Sequence, residues 1–589
     1  MIGRTKVDVL IVGGGASGTT AAIAAGRAGA KVLLVEQGPW LGGMLTSAGV
    51  SAIDGNYRMR SGLFGAFCDS LASHYGSYNA LMTGWVSNIQ FEPSAGQSIL
   101  RNMVGRYADI SLSLDTKAVS FKRQGNGWIV TIEKNGVRSR VFSKVLIDAT
   151  ELGDVAAACG VNYDIGMDSR SVTGESNAPK KANGIIQDLT YVAILKDYGP
   201  GADKTVCKPE GYDASLYEGC CNGVKDKETM LSYGKLPNGK YMINWPAHGN
   251  DFYSNMIELT QEGRAAEIEK AKNVTLGFVY YIQKELGFRN LGLADDEFPT
   301  SDHLALIPYH RESRRIHGMV RFTVDYASNP FDQEMKLYRT GIAVGDYPVD
   351  HHHGRYPAYQ NLPDLHFYPI PSFNLPLGCL IPKDADNLIV AEKSISVSNL
   401  MNGATRLQPV VMQLGEAAGI MAALSSKQGK KVSEIGVREV QSEILAYGGY
   451  IMPYLDIPVT DPHFKSVQRI GATGILKGIG RSAGWSNETR FNPDSEALGG
   501  ELIEGMKDYY PDEDYSAIGA GPLTIGQAIG MIRNIDSSIA VGASEWSAFG
   551  LEGYDPARNI KRGELAVLLD NTLDPFHSFK IGFDGRLMR

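Results

Sequence analysis

The 589-residue sequence has few cysteines, no excess of basic charge and no long apolar run. Its six cysteines include no C-x-x-C pair, which argues against a zinc site or a thioredoxin-like dithiol. Lys and Arg number 57 against 65 Asp and Glu, with the two signs interspersed, so we expect no nucleic-acid partner. Because no stretch approaches 18 continuous apolar residues, we expect no transmembrane helix.

The cysteines and the amino-terminal segment do not decide the cellular compartment of the protein. Cys207 with Cys220 or Cys221 could close a small disulfide loop in an oxidising compartment, and the alternative is a set of free structural thiols. We expect no signal peptide, because a core strand is predicted from Val7. The sequence as written fits a bacterial cytoplasmic protein, and export stays open for a chain whose signal peptide has been removed.

The segment VDVLIVGGGASG, which begins at Val7, has the pattern of a nucleotide-binding strand and turn. It predicts a buried strand over Val7–Val12, a helix over Thr19–Ala28 and a second strand over Lys31–Val35. The G-x-G-x-x-G turn permits a tight bend, a close backbone approach to a phosphate and tight helix packing. An acid at the end of the second strand can accept hydrogen bonds from a ribose. The predicted dinucleotide contacts are Gly13, Gly15, Ala16, Ser17, Gly18, Glu36 and Gln37.

With 43% apolar and 21% charged residues, the chain is typical of a globular protein of several domains. The predicted fold class is α/β, with a Rossmann-type nucleotide-binding domain, an inserted α+β substrate domain and a small carboxy-terminal helical domain. Alternation about Asn-Gly turns predicts a small β-meander over 108–147, and the clearest long helix is Glu258–Leu286. The predicted divisions are 1–160 for the first part of the nucleotide-binding domain, 161–385 for the inserted substrate or cap domain, 386–430 for the return segment and 431–589 for the helical domain.

Four segments resemble one family of enzymes: VGGGASGTTAAIAAGRAGAKVLLVEQGPWLGGMLT, LIDATELGDVAAACGV, IPYHRESRRIHG and NLIVAEKSISVSNLMNGATRLQPVVMQLGEAAG. They are similar to FAD-dependent oxidoreductases related to the fumarate reductase and succinate dehydrogenase flavoproteins, and to a bacterial subgroup often labelled xanthan-lyase-like. The resemblance covers residues 7–430 and implies FAD as the cofactor. It also implies that Gly42, Gly43 and Met44 run beside the ribityl chain or the flavin ring.

The resemblance brings two further segments to FAD. Ala149 and Thr150 would pass the diphosphate, although Glu151 stands where many flavoproteins have glycine. A return helix, expected from about Thr405 to Leu424, would point its amino end at flavin N1 and the C2 carbonyl, where it stabilises the charge of reduced flavin. Arg406, expected in the first turn of that helix, either adds positive charge there or pairs with a carboxylate. The contacts implied at this end are Asn402, Gly403, Ala404 and Thr405.

The segment HRESRR, from His310 to Arg315, is the densest basic cluster of the inserted region. Its three arginines suit an anion site or a clamp on substrate oxygens, and the alternative is an ion-pair node that includes Glu312. We take Arg311, Arg315 and His310 as catalytic candidates, with His310 as an acid or base at the flavin.

A run of histidines and a later histidine are further candidates. Asp350–His353 suggests a metal cluster, but adjacent histidines on a strand point to opposite faces, so we predict a polar loop of the substrate pocket and no metal. His366 and Tyr368 lie in a region that faces the isoalloxazine in the related enzymes. They are therefore candidate substrate contacts, with His366 a catalytic candidate.

The tail resembles S-layer-homology repeats in FKSVQRIGATGILKG, in ETRFNPDS and in Arg562–Ala566. The first copy has Glu496-Ala497-Leu498 in place of the last of these elements. The resemblance implies contact with a cell-wall polymer, and a scaffold or homo-oligomer role is the alternative.

These observations predict an FAD-dependent oxidoreductase that passes hydride between a carbon of a small-molecule substrate and flavin N5. FAD would carry the redox chemistry, and the electron acceptor is not indicated. Oxidation of a C–H bond next to oxygen, as in a sugar or a hydroxy acid, is favoured. The alternatives are reduction of an activated double bond, and a surface-associated polymer-binding protein in which FAD is structural.

Overall fold

The computed structural model describes residues 4–245 and 248–588. These residues form two compact units. The first comprises the chain as far as Thr323, with Val349–Tyr368 and Cys379–Glu434, and the second comprises Val324–Pro348, Pro369–Gly378 and the chain from Ile435. Two segments of the region predicted as an inserted domain thus belong to the same unit as the tail.

Helices and strands alternate through the first unit, and helices dominate the second. The strands are β1 Arg4–Val12, β2 Val32–Val35, β3 Ile110–Ser113, β4 Thr116–Gln124, β5 Gly127–Lys134, β6 Val137–Asp148, β7 Tyr163–Asp164, β8 Leu189–Thr190, β9 Ala193–Asp197, β10 Lys240–Ile243, β11 Asp251–Phe252, β12 Leu291–Leu293, β13 Arg315–Ile316, β14 Gly341–Gly345, β15 Phe373–Pro376, β16 Leu388–Val390, β17 Ile479–Arg481 and β18 Glu488–Arg490. The helices are α1 Ala16–Arg27, α2 Gly62–Tyr75, α3 Pro93–Gly105, α4 Asp154–Ala158, α5 Arg170–Thr173, α6 Lys227–Leu231, α7 Gln261–Lys284, α8 Val324–Ser328, α9 Asn399–Thr405, α10 Gln408–Gln428, α11 Val437–Ala446, α12 Phe464–Thr473, α13 Gly499–Met506, α14 Ile525–Ile535, α15 Ala543–Ala548, α16 Arg562–Asn571 and α17 Pro575–Ser578.

The largest sheet of the described chain has the parallel core that the first two strands predict. Its order is β3-β2-β1-β6-β5-β4, and β16 pairs with the end of β6. Strands β3, β2, β1, β6 and β16 run parallel to one another. Residues Val9–Val12 and Val32–Val35 are buried throughout, as expected of strands covered on both faces. The fold class is therefore the predicted α/β class with a Rossmann-type core.

The predicted meander is part of this sheet. It consists of β4, β5 and the first half of β6, which pair antiparallel. Strand β3 does not belong to it, because Ile110–Ser113 pairs in parallel with β2. Strand β6 is continuous from Val137 to Asp148, so one strand leads from the meander into the buried core.

Helix α10 packs on α1 at close range because two glycines face it. A Cβ atom at Gly415 would lie 2.1 Å from Ser17 O, and one at Gly419 would lie 2.2 Å from Ala21 O. Thr20 Oγ1 also donates a hydrogen bond to Met412 O at 2.8 Å. The return segment thus contacts the first helix backbone to backbone.

The predicted start of the return helix is wrong. Residues Asn399–Thr405 form the separate helix α9, and α10 begins at Gln408 after a bend of 93°. Ser398 caps α9 by accepting from Met401 N at 3.1 Å, and Pro409 lies in the first turn of α10, where a missing N–H is tolerated. Arg406 therefore lies in the bend and not in a first helical turn. No single helix of the described residues is long and apolar enough to cross a membrane; α9 and α10 meet that criterion only as a bent pair.

The region between β6 and β16 in the first unit is built from small antiparallel sheets and one long helix. The sheets pair β9 with β10 and β12, β8 with β11, and β7 with β13. The long helix is α7, which corresponds to the helix predicted at Glu258–Leu286. Thr260 caps it by accepting a hydrogen bond from Gly263 N at 3.2 Å. This region supplies the side chains that lie beside the nucleotide-binding core.

The second unit joins the β14–β15 pair to the helices of the tail. Gln441 of α11 donates from Nε2 to Arg339 O at 3.0 Å and to Gly341 O at 2.9 Å. Asn374 of β15 donates to Ile451 O at 2.9 Å. Arg562, in the S-layer-like element, is buried and donates from Nε to Phe491 O at 2.9 Å. The tail is thus tied to chain segments that precede Cys379.

All six cysteines lie in the described part of the chain and are free thiols there. Cys207 is exposed, whereas Cys220 is buried with its Sγ atom 3.7 Å from that of Cys221. The disulfide of Cys207 with Cys220 or Cys221 stays a prediction.

A chain that ends near Gly429 tests this two-unit division. The predicted domains would let it fold unchanged, but the structure places Val324–Pro348 and Pro369–Gly378 in one unit with the deleted tail. Each buried hydrogen bond lost is worth about 1 kcal/mol, and apolar burial is lost as well. We expect the thermal midpoint to fall by about 10 °C or more. Calorimetry of truncated and full chains measures it, and an unchanged midpoint would contradict the division.

Candidate active site

The glycine-rich turn after β1 brings three chain segments into backbone contact. Gly13 has a φ of +101°, and a Cβ atom there would lie 2.2 Å from Ala149 O. A Cβ atom at Gly18 would lie 1.8 Å from Gly13 O. Helix α1 begins at Ala16, so its unpaired N–H groups and positive dipole end face out of the turn. The turn therefore has the shape and polarity of a diphosphate site.

Glu36, at the end of β2, is fixed by the same turn. Its Oε2 accepts a hydrogen bond from Gly14 N at 2.6 Å, and its Oε1 accepts one from Gly38 N at 2.7 Å. Burial raises the pKa of this carboxyl to about 6, although the two amide bonds oppose the shift. The neighbouring Gln37 is exposed. Glu36 thus lies where the dinucleotide prediction requires an acceptor.

The second glycine pair packs on the first. Gly42 N donates to Gly14 O at 2.8 Å, and a Cβ atom at Gly43 would lie 2.8 Å from the Cα atom of Gly15. Both glycines have positive φ, which other residues rarely adopt. Met44 follows in a buried single turn. The structure therefore brings the predicted ribityl contacts to the predicted diphosphate contacts.

The segment after β6 closes the other side of the turn. Ala149 N donates to Val12 O at 2.8 Å, and both the amide and the hydroxyl of Thr150 donate to Asp148 Oδ1. Glu151 follows, with its Oε2 2.6 Å from Lys393 Nζ. We call the turn, the second glycine pair and this segment the cradle; its members are Gly13–Gly18, Glu36, Gly42–Met44 and Ala149–Glu151.

Helix α9 contains the four residues that were expected at the amino end of the return helix. Asn402, Gly403, Ala404 and Thr405 are its last four residues, so they lie at its carboxyl end, and the amino end of α10 begins at Gln408. These four residues therefore do not form the amino end of the return helix, and their contact with FAD stays a prediction. Gly403 is needed for another reason, since a Cβ atom there would lie 2.5 Å from the His351 ring.

A buried network of acids and bases lies against α9. Asp350 accepts from His352 Nε2 at 2.8 Å and from His366 Nδ1 at 3.0 Å. Although burial opposes it, the charges of His352 and Arg406 hold the pKa of Asp350 well below its usual range. Burial likewise opposes the charged form of His352, but Asp350 raises the His352 pKa. Asp350 is therefore ionised, and His366 keeps Nε2 as the ring nitrogen that can take up a proton.

Two arginines complete this network. Arg406 donates to Tyr309 Oη at 2.7 Å and to Asp350 O at 3.0 Å. Arg311 pairs with Asp251 at 3.1 Å. Of the two alternatives for Arg406, the structure shows the carboxylate partner, since its Nη2 is 3.5 Å from Asp350 Oδ2. We call this set the acid–base network; its members are Asp251, Tyr309, Arg311, Asp350, His352, His366 and Arg406.

The other two arginines of the basic cluster form ion pairs away from this network. Arg315 is 1% exposed and pairs with Glu312 at 3.0 Å and Asp168 at 3.1 Å. Arg314 pairs with Asp154 at 2.8 Å. Because Arg315 is enclosed by carboxylates, the structure favours the ion-pair alternative for it. Its assignment as a catalytic candidate is corrected on this ground.

His310 lies near Glu151 of the cradle and near Lys393. It is buried, and desolvation lowers its pKa to about 4, with Lys393 acting in the same direction and Glu151 opposing. It is therefore neutral at neutral pH. His310 can accept a proton only at a large cost, which weakens its candidacy as a general base.

Sequence reasoning missed Asp54 and an aromatic cluster beside it. Desolvation raises the pKa of Asp54 to about 7, with Asp350 adding to the shift and Arg406 opposing it. The ring of Tyr233 is 5.0 Å from that of Trp85 and 4.6 Å from that of Trp245, centroid to centroid. Asp54 raises and Arg311 lowers the pKa of Tyr233, so the cluster borders the network. Perturbed acids of this kind are concentrated at functional sites.

Of the three adjacent histidines, only His352 is a member of the acid–base network. His351 is buried and its Nε2 lies 3.2 Å from Leu400 O, while His352 lies between Asp350 and Asp251. The rings of His351 and His353 stack at 5.5 Å. Within the described residues, no group of three or more His, Cys, Asp or Glu side chains is arranged to hold a metal ion.

The parallel core, the cradle and the adjacent network are what we expect of an enzyme that binds a dinucleotide at the carboxyl ends of its first strands. The chain belongs to the FAD-dependent oxidoreductase family, whose model matches residues 8–444. It is accordingly an FAD-dependent enzyme. The tail beyond that match and the relation to fumarate reductase stay predictions.

The chain is also similar to solved structures. The anhydrotetracycline hydroxylase OxyS from Streptomyces rimosus is 11% identical, with a TM-score of 0.35 and coverage of 80% of this chain and 69% of that one. L-proline dehydrogenase from P. horikoshii is 20% identical, with a TM-score of 0.17 and coverage of 26% and 24%. PieE, a flavin-dependent monooxygenase solved with FAD and substrate, is 20% identical, with a TM-score of 0.23 and coverage of 33% and 35%. The chain spans 24% to 40% of the first three structures matched. No curated protein matches it.

The residues of the cradle fit FAD. The turn offers helix N–H groups to a diphosphate, and Glu36 offers a carboxylate to a ribose. Within the described chain, Glu151 Oε1 and both oxygens of Glu392, which lies beside the cradle, are buried without a hydrogen-bond partner of normal geometry. Buried polar atoms are normally satisfied, so these orphaned atoms indicate a polar ligand.

Proposed function

We propose that this enzyme oxidises a C–H bond next to a hydroxyl group in a sugar or hydroxy acid. When bound, FAD supplies the hydride acceptor at flavin N5. The protein then has to take the hydroxyl proton, hold the oxygen and orient the carbon. The observation that carries the proposal is the pairing of His366 with ionised Asp350, because a histidine so held is a ready proton acceptor.

The proton path follows from the His366 geometry. Its Nδ1–H donates to Asp350 Oδ1 at 3.0 Å, which leaves the Nε2 lone pair as the base. The His366 side chain is 59% exposed, whereas that of Asp350 is 8% exposed, so the pair presents its histidine outward. As His366 takes the proton, the charge of Asp350 stabilises the imidazolium.

The network also suits an oxygen that gains negative charge. Arg311 and Arg406 bring two fixed positive charges to this network, where they face the carboxylates of Asp251 and Asp350. Such fixed charge stabilises an alkoxide that forms as the proton leaves. This supports a hydroxyl substrate over an unactivated hydrocarbon.

The aromatic cluster supports a sugar within this class. Trp85 is 48% exposed and stands with Tyr233 and Trp245 at the border of the network. An aromatic face beside charged hydrogen-bonding groups suits a molecule with apolar C–H faces and polar edges. A sugar ring has both.

The test is anaerobic mixing of the FAD-loaded protein with a panel of sugars, hydroxy acids and α,β-unsaturated acids. We expect a sugar or hydroxy acid to bleach the flavin absorbance. Reoxidation of chemically reduced enzyme by an unsaturated acid, with no bleaching by hydroxyl compounds, would instead favour the double-bond reductase. A panel with no effect in either direction would count against the proposal.

Arg311 and Arg315 make a matched pair for a second test. Arg311→Lys should slow flavin reduction about 10- to 100-fold with FAD retained, because lysine keeps the charge but loses the planar fork that pairs with Asp251. Arg315→Lys should lower thermal stability and leave the reduction rate within about twofold. Stopped-flow reduction and calorimetry separate the two, and equal rates for both variants would remove Arg311 from the site.

A further inference from the structure

Glu392 combines three features that need a common cause. It follows β16 with a φ of +59°, a conformation that is uncommon outside glycine. Its side chain is fully buried, at 0% exposure. Neither of its carboxyl oxygens has a hydrogen-bond partner of normal geometry among the described residues, although the hydroxyl and amide of Ser17, at the start of α1, lie close enough to lower its pKa. Strained, buried and unsatisfied groups are concentrated at ligand sites.

The carboxyl group of Glu392 points at the glycine-rich turn. Its Oε1 is 2.9 Å from the position of a Cβ atom at Gly15, the residue that precedes α1. Glu151 Oε1 approaches the same position at 3.5 Å. Both groups therefore converge on the place where the first N–H groups of α1 face a diphosphate.

The charged groups near Glu392 do not compensate a negative charge on its carboxyl group. The nearby cation, Lys393, pairs with Glu151 at 2.6 Å, and Glu151 adds negative charge beside Glu392. Burial raises the pKa of Glu392 to about 8, with Lys393 and Ser17 opposing the shift. An ionised carboxylate here would repel a diphosphate, whereas a neutral one carries an O–H donor.

We propose that Glu392 binds the FAD diphosphate as a neutral carboxylic acid, donating its O–H to a phosphate oxygen. The inference rests on the placement of FAD in the cradle and is independent of the substrate. If Glu392 binds in this form, FAD has a higher affinity for the enzyme in which Glu392 is protonated. The affinity for FAD must therefore decline at pH values where Glu392 loses its proton.

The other titratable groups near Glu392 would not make FAD binding weaker as the pH rises above 8. Glu36 titrates near pH 6 and His310 near pH 4, both on the acid side. Burial opposes the charged form of Lys393, but Glu151 raises its pKa, so it stays charged. The ionisable groups that act on Glu392 or on its neighbours are Glu36, Glu151, Asp154, Arg264, Tyr309, His310 and Lys393.

The experiment measures the FAD dissociation constant of the full chain between pH 7 and pH 9.5. For the parent, we expect it to rise about 30-fold, because each pH unit above a pKa near 8 costs up to tenfold. Glu392→Gln keeps an N–H donor without a titrating group, so its affinity should equal the parent's at pH 7 and stay within about twofold to pH 9.5. Glu297→Gln is the matched control, a buried glutamate paired with Lys240, and should retain the parent profile.

Three results would overturn the inference. A flat profile for the parent would mean that Glu392 does not titrate on FAD binding. Much tighter binding by Glu392→Gln at pH 7 would mean that Glu392 is ionised and repels the diphosphate. Binding that needs Mg²⁺ and is lost with EDTA would mean that the carboxylates bridge a cation.

A separate variant tests the placement on which the inference rests. Gly18→Ala puts a Cβ atom 1.8 Å from Gly13 O and should abolish FAD retention. Full retention by Gly18→Ala would refute the cradle placement itself. Loss of FAD by Gly18→Ala with a flat parent profile would leave the placement standing and refute only the role of Glu392.

Discussion

Replacing His366 with asparagine is expected to slow substrate-driven flavin reduction about 10²- to 10⁴-fold while leaving FAD bound. Asparagine still reaches Asp350 but offers no basic nitrogen to the hydroxyl proton. Asp350→Asn should give a loss of similar size, since it removes the charge that holds the His366 tautomer and supports its protonated form. The double variant should be little worse than either single one, because the pair acts as a unit.

The control for this prediction is a second His–Asp pair. His317 lies 3.1 Å from Asp164 and shares no partner with the acid–base network. His317→Asn should reduce at the parent rate. Stopped-flow reduction under anaerobic conditions measures the parent and the four variants. If His366→Asn reduced as fast as His317→Asn, the base would have to be sought elsewhere, with Asp54 the first choice.

Replacing Glu36 with alanine is expected to weaken FAD binding about 10- to 100-fold, since charge-assisted hydrogen bonds contribute roughly 1.5–3 kcal/mol. The loss has two sources. The ribose loses its acceptor, and the amides of Gly14 and Gly38 lose the carboxylate that orders the turn. Glu36→Gln keeps an oxygen acceptor and the side-chain volume, so it should lie between the parent and Glu36→Ala.

Equilibrium dialysis against FAD measures this effect. The parent should also bind less tightly as pH falls through about 6, because protonation near that pKa removes the carboxylate acceptor. The FAD affinity of Glu36→Gln should not fall in this way at acid pH. Equal retention by parent and Glu36→Ala after exhaustive dialysis would place the ribose away from Glu36.

The nucleotide-binding part could be predicted because its determinants are local. Strand, glycines, helix, strand and acid follow one another between Val7 and Glu36, and short-range patterns specify each of them. The start of α10 was misplaced for a local reason too. Pro409 has no N–H to donate and its ring clashes with a preceding helical turn, so it is tolerated in a first turn but not inside a helix that had already begun at Thr405.

The acid–base network could not be predicted because its members lie far apart in the chain. Asp251, Asp350 and Arg406 come from three separate segments, and only the tertiary fold brings their side chains together. The arginine cluster shows the same limit. The sequence left a substrate clamp and an ion-pair node open, and only the positions of Asp168, Asp251 and Glu312 distinguish Arg315 from Arg311.

The backbone contact of α10 with α1 sets an order of events during synthesis. Helix α1 is complete at Arg27, but its close-packed neighbour does not begin until Gln408. At about 5–20 residues per second, the ribosome needs roughly 20 to 80 s to deliver that neighbour. Through this interval the small-residue face of α1 lacks the layer that Gly415 and Gly419 provide. A nascent chain shorter than about residue 428 therefore emerges with this face uncovered, which makes it a natural client for chaperones.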